Sequence, residues 1–435
     1  MITKTILKEI IIANEQFLET MPSVISREGI QLPESDIIRK TVVFYGVRRS
    51  GKTFILFDIY QKNKERTLYV DFEDERLKGF GVSDFERLRE SFLELKPHLI
   101  GKELIFLLDE VQNVQDWEKF CRRATEREKI RVYVSGSSSK MMPFEIKTEL
   151  RGRSWGIEIL PFSFREYLTS KGINPEQRDL LFGSQKIRVL NYFAEYLKWG
   201  GFPEVCLAGS LFEKQKLLKE YLDAMFFRDL VERYDIKNIK LLEALMDRLF
   251  SGPATPFTLM SFYRQYKQSF PFSKDMLSQY YKHLLQSMLV FEIPILAESS
   301  YARTRNPVKI YLVDTGLARR ITSENNGLLL ENIVFLEFKR KGYELFYFKE
   351  NGECDLMAKN KDNRFLPIQI AFDINEKNRE REINGILEGC KRAKLNQGHI
   401  ITNDQEDVFK KDGIEVHLIP ITKWLLGGLR PGNSE

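Results

Sequence analysis

Along the first 160 positions the apolar residues gather in short blocks. Thr41–Tyr45, Leu68–Phe72, Leu104–Leu108, Val132–Val134 and Gly156–Leu160 are the five blocks, and most are continuously apolar. That is how a strand covered on both faces reads, because neither side of its pleat meets water. Amphipathic segments at Thr53–Asn63, Val82–Leu95 and Asp116–Glu128 lie between them. The alternation predicts an α/β fold with a parallel, doubly wound sheet.

Beyond it the pattern turns helical. Ser163 and Glu166 form a capping box before Tyr167 and Leu168, and helical patterns cover Ile187–Trp199 and Phe212–Tyr234. Gly200-Gly201-Phe202-Pro203 separates them and cannot be helix interior. Helices at Ile239–Phe250, Thr258–Gln268 and Lys274–Ser287 are followed by strands Val290–Leu296 and Lys309–Val313. Three helices and a β-ribbon are the parts of a winged helix-turn-helix. The final stretch reads αβββαββ: helix Leu329–Lys341, strands Glu344–Phe348, Glu353–Ala358 and Phe365–Ile370, helix Glu376–Ala393, strands Gly398–Thr402 and Glu415–Ile419. Gly427–Glu435 reads as a frayed end. The expected domains are therefore residues 1–162, a sheet core with an N-terminal helical arm; 163–238, a helical lid; 239–313, the winged helix; and 314–435, the small terminal domain.

Chemistry concentrates first at Gly46-Val47-Arg48-Arg49-Ser50-Gly51-Lys52-Thr53, the P-loop pattern. It directly follows a strand and opens a helix, the context the motif needs. Its glycines let backbone amides wrap phosphate oxygens, and the helix terminus adds free N–H groups and its dipole. Lys52 is expected to reach the β and γ phosphates of ATP, and Thr53 to ligand Mg2+. Arg48 and Arg49 are expected to touch phosphate or to pack on the next domain. The apolar run Leu104–Leu108 ends in Asp109 and Glu110. At the carboxyl end of a parallel strand, Asp109 is placed to hold Mg2+ through water and Glu110 to orient the attacking water. Ser135–Ser139 offers a hydroxyl that senses the nucleotide, with Ser137 the first choice, and Arg151-Gly152-Arg153 offers a cation for the transferring phosphate, in cis or from a neighbouring subunit. The reading is an ATPase.

Composition narrows the class. Of 435 residues, 43% are hydrophobic and 30% charged, ordinary for a globular chain with a core that needs no staples. A net charge of +5 is too mild to argue for nucleic acid alone. Cys121, Cys206, Cys354 and Cys390 lie far apart without CxxC spacing, which speaks against zinc sites and a disulfide framework. His98, His283, His399 and His417 have no partner at metal spacing. The early apolar run Ile10–Ala13 is too short for a signal peptide, and no run reaches ~18 residues, so no membrane span and a cytoplasmic location are expected.

These motifs together resemble a prokaryotic family of AAA+-like ATPases with a C-terminal nuclease-like domain of unknown function. The resemblance rests on Gly46–Thr53, Tyr69–Arg76, Leu107–Gln112, Ser135–Ser139, Leu150–Arg153, Leu160–Phe164, Gly200–Glu204, Lys309–Leu317 and Leu330-Glu331-Asn332, and spans nearly the whole chain. It implies an AAA+-like core, a helical lid, a winged helix and a tail similar to the PD-(D/E)XK nucleases. In that superfamily two carboxylates bind Mg2+ and a Lys stabilises charge at the attacked phosphate. Asp355 matches the first acid, and Glu331 or Glu337 the helix Glu; but Gln369 stands for the second acid and Ala371 for the Lys. Nuclease chemistry is therefore not expected. On the winged helix, Lys274–Ser287 is the expected recognition helix, with Lys274, Gln279 and Lys282, while Arg303, Arg305 and Lys309 form a basic turn. These residues suit DNA phosphates, and Gln279 a base edge. Asp275 lies in the same patch, and a protein partner or a homo-oligomer is the alternative. Tyr280 and Tyr281 read as core.

The functions carried forward are an ATP-driven switch acting on DNA or a protein, an ATP-gated DNA-processing nuclease, and a nucleotide-dependent scaffold. Glu110 disfavours the scaffold; Ala371 disfavours the nuclease.

Overall fold

The computed structural model describes residues 2–21, 24–33, 38–136, 150, 152–297, 299, 306–318 and 325–427. The chain divides into two units, Met1–Leu160 and Pro161–Glu435.

The first unit is built on a parallel sheet of β1 (Thr41–Tyr45), β2 (Thr67–Asp71), β3 (Leu104–Asp109), β4 (Ile130–Gly136) and β5 (Ser154–Glu158), ordered β2-β3-β4-β1-β5. Its continuously apolar strands follow from coverage on both faces. Val43, Phe106, Leu108, Val132 and Val134 pack with α1 (Lys4–Thr20), α3 (Asp84–Leu95) and α4 (Trp117–Arg127). Their neighbours Val42, Phe44, Ile105, Leu107 and Tyr133 pack with α2 (Lys52–Lys62) and with Val24, Ile30 and Leu32 of the arm. Beyond β1 the chain travels to the β2 edge, whereas beyond β4 it travels to β5, on the other side of β1. Adjacent strands whose connections leave in opposite directions open a crevice at their carboxyl ends. This is a P-loop NTPase fold, followed by helical and sheet-rich parts.

The second unit begins with helices α5 (Phe164–Ser170), α6 (Gly183–Trp199), α7 (Pro203–Leu207) and α8 (Leu211–Ala224). The expected capping box at Ser163 and Glu166 is formed. The single helix expected over Phe212–Tyr234 changes character partway, and Met225–Glu232 is wound as π-helix. Next come α9 (Ile239–Phe250), α10 (Leu259–Tyr266) and α11 (Lys274–Gln286) with a three-stranded antiparallel sheet of β6 (Thr255–Phe257), β7 (Val290–Ile293) and β8 (Val308–Leu312), ordered β6-β8-β7. A second sheet, β13-β14-β12-β11-β10-β9, contains β9 (Glu344–Lys349), β10 (Glu353–Lys359), β11 (Phe365–Ile370), β12 (Gln397–Thr402), β13 (Asp407–Lys411) and β14 (Ile414–Pro420). It packs with α12 (Asn326–Arg340) and α13 (Arg379–Ala393), and α14 (Ile421–Gly427) ends the described chain. The two sheets are stitched where Leu296 N donates to Tyr347 O (2.7 Å) and Tyr347 N to Pro294 O (3.2 Å).

One buried node ties the Gly200-Gly201 turn to the end of the ribbon. The Asp314 carboxylate accepts from Gly201 N at 2.6 Å and Gly316 N at 2.8 Å. A Cβ on Gly200 would lie 1.7 Å from Asp314 Oδ1, and one on Gly201 2.3 Å from Phe162 O, so both positions must be glycine. Burial pushes the Asp314 carboxyl up to about 7, against the pull of those two amides.

Candidate functional site

The loop after β1 is shaped by close approach. Gly46 has φ +152°, and a Cβ there would sit 2.2 Å from Ile159 O. Gly51, at φ 92°, is the left-handed residue from which α2 starts, so the helix N-terminus faces the loop's interior. The buried Lys52 ammonium donates to the carbonyls of Gly46 (3.1 Å) and Val47 (3.0 Å). The Ser50 hydroxyl is buried and has no hydrogen-bond partner among the described residues. Arg48 is half-buried and Arg49 exposed.

Across the crevice, Asp109 is 2% exposed at the end of β3. Tyr69 Oη donates to its Oδ2 at 3.2 Å, Ser135 Oγ donates to its Oδ1, and Thr53 bonds it as well. Burial raises its pKa; the bonds from Ser135, Thr53 and Tyr69 oppose that shift. Glu110 turns out of the strand with φ 48° and ψ 41°, and Gln112 Nε2 donates to its carboxylate. Asp71 is paired with Asp109 across β2 and β3, and burial, with Asp109 nearby, pushes its carboxyl up to about 6.

The structure thus brings Lys52, Thr53, Asp109 and Glu110 to one edge of the sheet. Ser137 and Arg151 lie outside the described residues; Ser135 is the β4 hydroxyl found on Asp109. Arg153 requires a correction. Its carbonyl accepts from Thr41 N, where β1 begins, and its guanidinium pairs with Glu126 of α4. β1 runs from Thr41 to the loop, about 15 Å in extended chain, so Arg153 stands at the opposite edge and does not serve this chain's phosphate. Tyr69, Asp71 and Gln112 enter the sequence reading only within the strand blocks and the resemblance motifs and carry no site role there, although strand order puts the ends of β2 and β3 side by side. Nor was Arg27, whose guanidinium donates to Ser50 O (2.9 Å) and Leu160 O (2.6 Å), tying the arm to the loop. Nothing in the local sequence marks it.

Magnesium fits this site. A hydroxyl and a carboxylate already meet at Thr53 and Asp109, and the unpartnered Ser50 hydroxyl and the left-handed Gly51 suit an anionic ligand.

In the second unit, α11 exposes Lys274, Gln279 and Lys282, while Tyr280 and Tyr281 are buried as expected. Arg303 and Arg305 lie outside the described residues. Lys309 is a second correction: it is 2% exposed and faces inward, so it is no part of a surface for DNA. Its ammonium lies 2.9 Å from Asp355, 3.1 Å from Glu331 and 3.3 Å from Glu353. Glu331, not Glu337, is the α12 acid here; Glu337 instead faces Arg340 and Lys341. Asp355 Oδ2 accepts from Ile370 N (3.0 Å), Gln369 Oε1 from Asp355 N (3.2 Å), and Gln369 Nε2 donates to Glu382 (2.7 Å). These side chains line a cavity of about 570 Å³. The divalent ion that the nuclease resemblance implies does not fit: among the described residues no three His, Cys, Asp or Glu side chains are arranged to hold a metal, and an ammonium stands between these carboxylates.

A glycine-bounded loop between β1 and α2, a buried Lys at its end and an acidic strand end beside it belong to an AAA-type P-loop ATPase domain, and residues 38–168 match the AAA domain family. Residues 190–327 and 326–424 match two domains of unknown function, DUF8612 and DUF4143. The chain belongs to the same family as an uncharacterized protein of Methanocaldococcus jannaschii, which is 35% identical over 98% of this chain and 96% of that protein. An uncharacterized protein of Haemophilus influenzae is 29% identical over 93% of this chain and 99% of its own length. Among solved structures it is similar to a Walker-type ATPase of Pyrococcus abyssi, with 14% identity, coverage of 69% of this chain and 98% of that one, and a TM-score of 0.42. Among the described residues no helix is long and apolar enough to cross a membrane.

Proposed function

We propose that the chain binds ATP with Mg2+, hydrolyses it, and uses the cycle to switch its hold on a macromolecular partner. The observation that carries this is the meeting of Thr53, at the loop, with Asp109, at the acidic strand end, beside Glu110. Backbone amides of residues 46–53 take phosphate oxygens, and Lys52 exchanges the carbonyls of Gly46 and Val47 for the β and γ phosphates. Thr53 and Asp109 hold Mg2+, which when bound neutralises charge developing on the phosphates. Glu110 orients the attacking water, and Gln112 fixes the Glu110 carboxylate. Tyr69 and Ser135 hold Asp109 in place. Arg153 remains a candidate only toward a neighbouring subunit. The domain division 1–162, 163–238, 239–313 and 314–435 remains our reading of the modules.

For the partner, the helices and three-stranded sheet over residues 239–313 support a winged-helix reading, and Lys274, Gln279 and Lys282 support DNA over protein. The test is phosphate release from Mg·ATP, with and without duplex DNA. Wild type should turn over; Lys52→Ala should lose turnover and most ATP affinity while remaining folded, because the ammonium serves the loop, donating to the carbonyls of Gly46 and Val47, rather than the apolar core. Unchanged turnover in folded Lys52→Ala rejects the site.

A further inference from the structure

The cavity in the second unit gathers its groups from distant stretches of chain. Lys309 comes from β8, Glu331 from α12, Glu353 and Asp355 from β10, Gln369 from β11 and Glu382 from α13. Each carboxylate is already engaged. Tyr311 Oη donates to Glu331 (2.7 Å), Lys349 to Glu353 (2.9 Å), Ile370 N to Asp355 (3.0 Å), and Arg381 Nε to Glu382 (2.9 Å). Lys309 alone reaches three of them, at 2.9–3.3 Å. Those are ammonium-to-oxygen distances; a magnesium ion needs about 2.0–2.1 Å and near-octahedral donors. A buried Lys is charged only when opposite charges outweigh desolvation, and here Asp355 and Glu331 do so, holding its pKa well above the ordinary value. Burial and Asp355 push the Glu331 carboxyl up, while Lys309 and the Tyr311 hydroxyl oppose that shift.

We propose that the Lys309 ammonium is the resident cation of this cavity, filling the place a divalent metal would take and pinning β8 to the terminal sheet. The cavity is therefore metal-independent. The missing basic residue at Ala371 is not compensated in a catalytic sense, because Lys309 lies where the ion would be rather than beside it. Removing the ammonium leaves carboxylates converging on one point, and closing from about 3 Å to metal distance needs shifts of about 1 Å each.

The experiment is a titration of nucleotide-free protein with Mn2+ alone, read by the electron paramagnetic resonance signal of the free ion. It compares wild type, Asp355→Asn, Lys309→Ala, and Lys309→Ala with Asp355→Asn. Wild type and Asp355→Asn should bind Mn2+ alike. Lys309→Ala should gain one Mn2+ per chain, at least about tenfold tighter than any wild-type site, and the double variant should lose it. Lys309→Met keeps an unbranched apolar side chain of similar length if Lys309→Ala does not fold, and the same gain is expected. Two results overturn the proposal: a wild-type Mn2+ site abolished by Asp355→Asn, or a folded Lys309 variant that gains none. The comparison of wild type with Asp355→Asn decides even if neither Lys309 variant folds.

Discussion

Asp314 makes the stability of the second unit depend on pH in a way that can be calculated. Its carboxyl is buried, and its pKa is raised from 3.8 to about 7. A carboxyl with a raised folded pKa binds its proton more tightly when folded than when unfolded. Its contribution is thus most favourable at low pH and is lost as pH climbs from 3.8 through 7. The difference is 7 − 3.8 = 3.2 pH units, which at about 1.36 kcal/mol per unit gives roughly 4 kcal/mol. Linkage places roughly 2.5 kcal/mol of this between pH 5 and pH 8. Asp314→Asn carries no proton to lose. It keeps one acceptor oxygen for one of the amides of Gly201 and Gly316, and sets an NH2 donor, which cannot accept, against the other. Urea unfolding of both proteins at pH 5, 6, 7 and 8 isolates the effect, because every other titrating group cancels in the comparison. Asp314→Asn should be the less stable protein at pH 5 and should gain on wild type by roughly 2.5 kcal/mol by pH 8. Parallel pH profiles would mean that the two amides hold the carboxylate ionised throughout, and the desolvation argument would fail.

Glu110→Gln keeps the bond to Gln112 while removing the base; phosphate release should fall ~10²–10⁴-fold with ATP affinity within a few-fold, measured by turnover and by fluorescent-nucleotide binding. A matching loss of affinity would assign Glu110 to binding instead. Replacing Lys274 and Lys282 together with Ala should flatten the slope of log DNA affinity against log salt by roughly 1.8, about 0.9 for each phosphate contact, while ATPase activity without DNA is unchanged. An unaltered slope would move the contact off α11.

The sheet of the first unit could be read from sequence because its strands are buried on both faces, leaving unbroken apolar runs that end in chemistry. The same logic recovered Lys52, Thr53, Asp109 and Glu110 as neighbours. Other features lacked such a signal. β6 is three residues long and contains Pro256, and β13 is an exposed, largely polar strand at the sheet edge. The π-helix at Met225–Glu232 changes the hydrogen-bond step without changing which residues are apolar. Lys309 misled because basic neighbours at Arg303 and Arg305 suggested a surface turn. A lysine inside the run Lys309-Ile310-Tyr311-Leu312-Val313 can equally be buried if carboxylates await it. Glu331 and Asp355, 22 and 46 positions away, are where only the fold brings them. Arg153 could have been placed from sequence: it directly precedes β5, and in a parallel sheet a residue before a strand stands at the amino end, away from the loop that follows β1.

The bond between Lys309 and the terminal sheet also bears on how the chain can be cut and recombined. The two matched domains of unknown function meet at residues 326–327, just where α12 begins. Lys309 lies on one side of that seam; Glu331, Glu353 and Asp355 lie on the other. A chimera joined there, with a foreign tail lacking those acids, would bury an ammonium with no counterion, a defect of about 3–5 kcal/mol. The seam suits comparison of sequences but not exchange of parts, and any tail inherited by such a protein must arrive with acids matched to a lysine encoded before it.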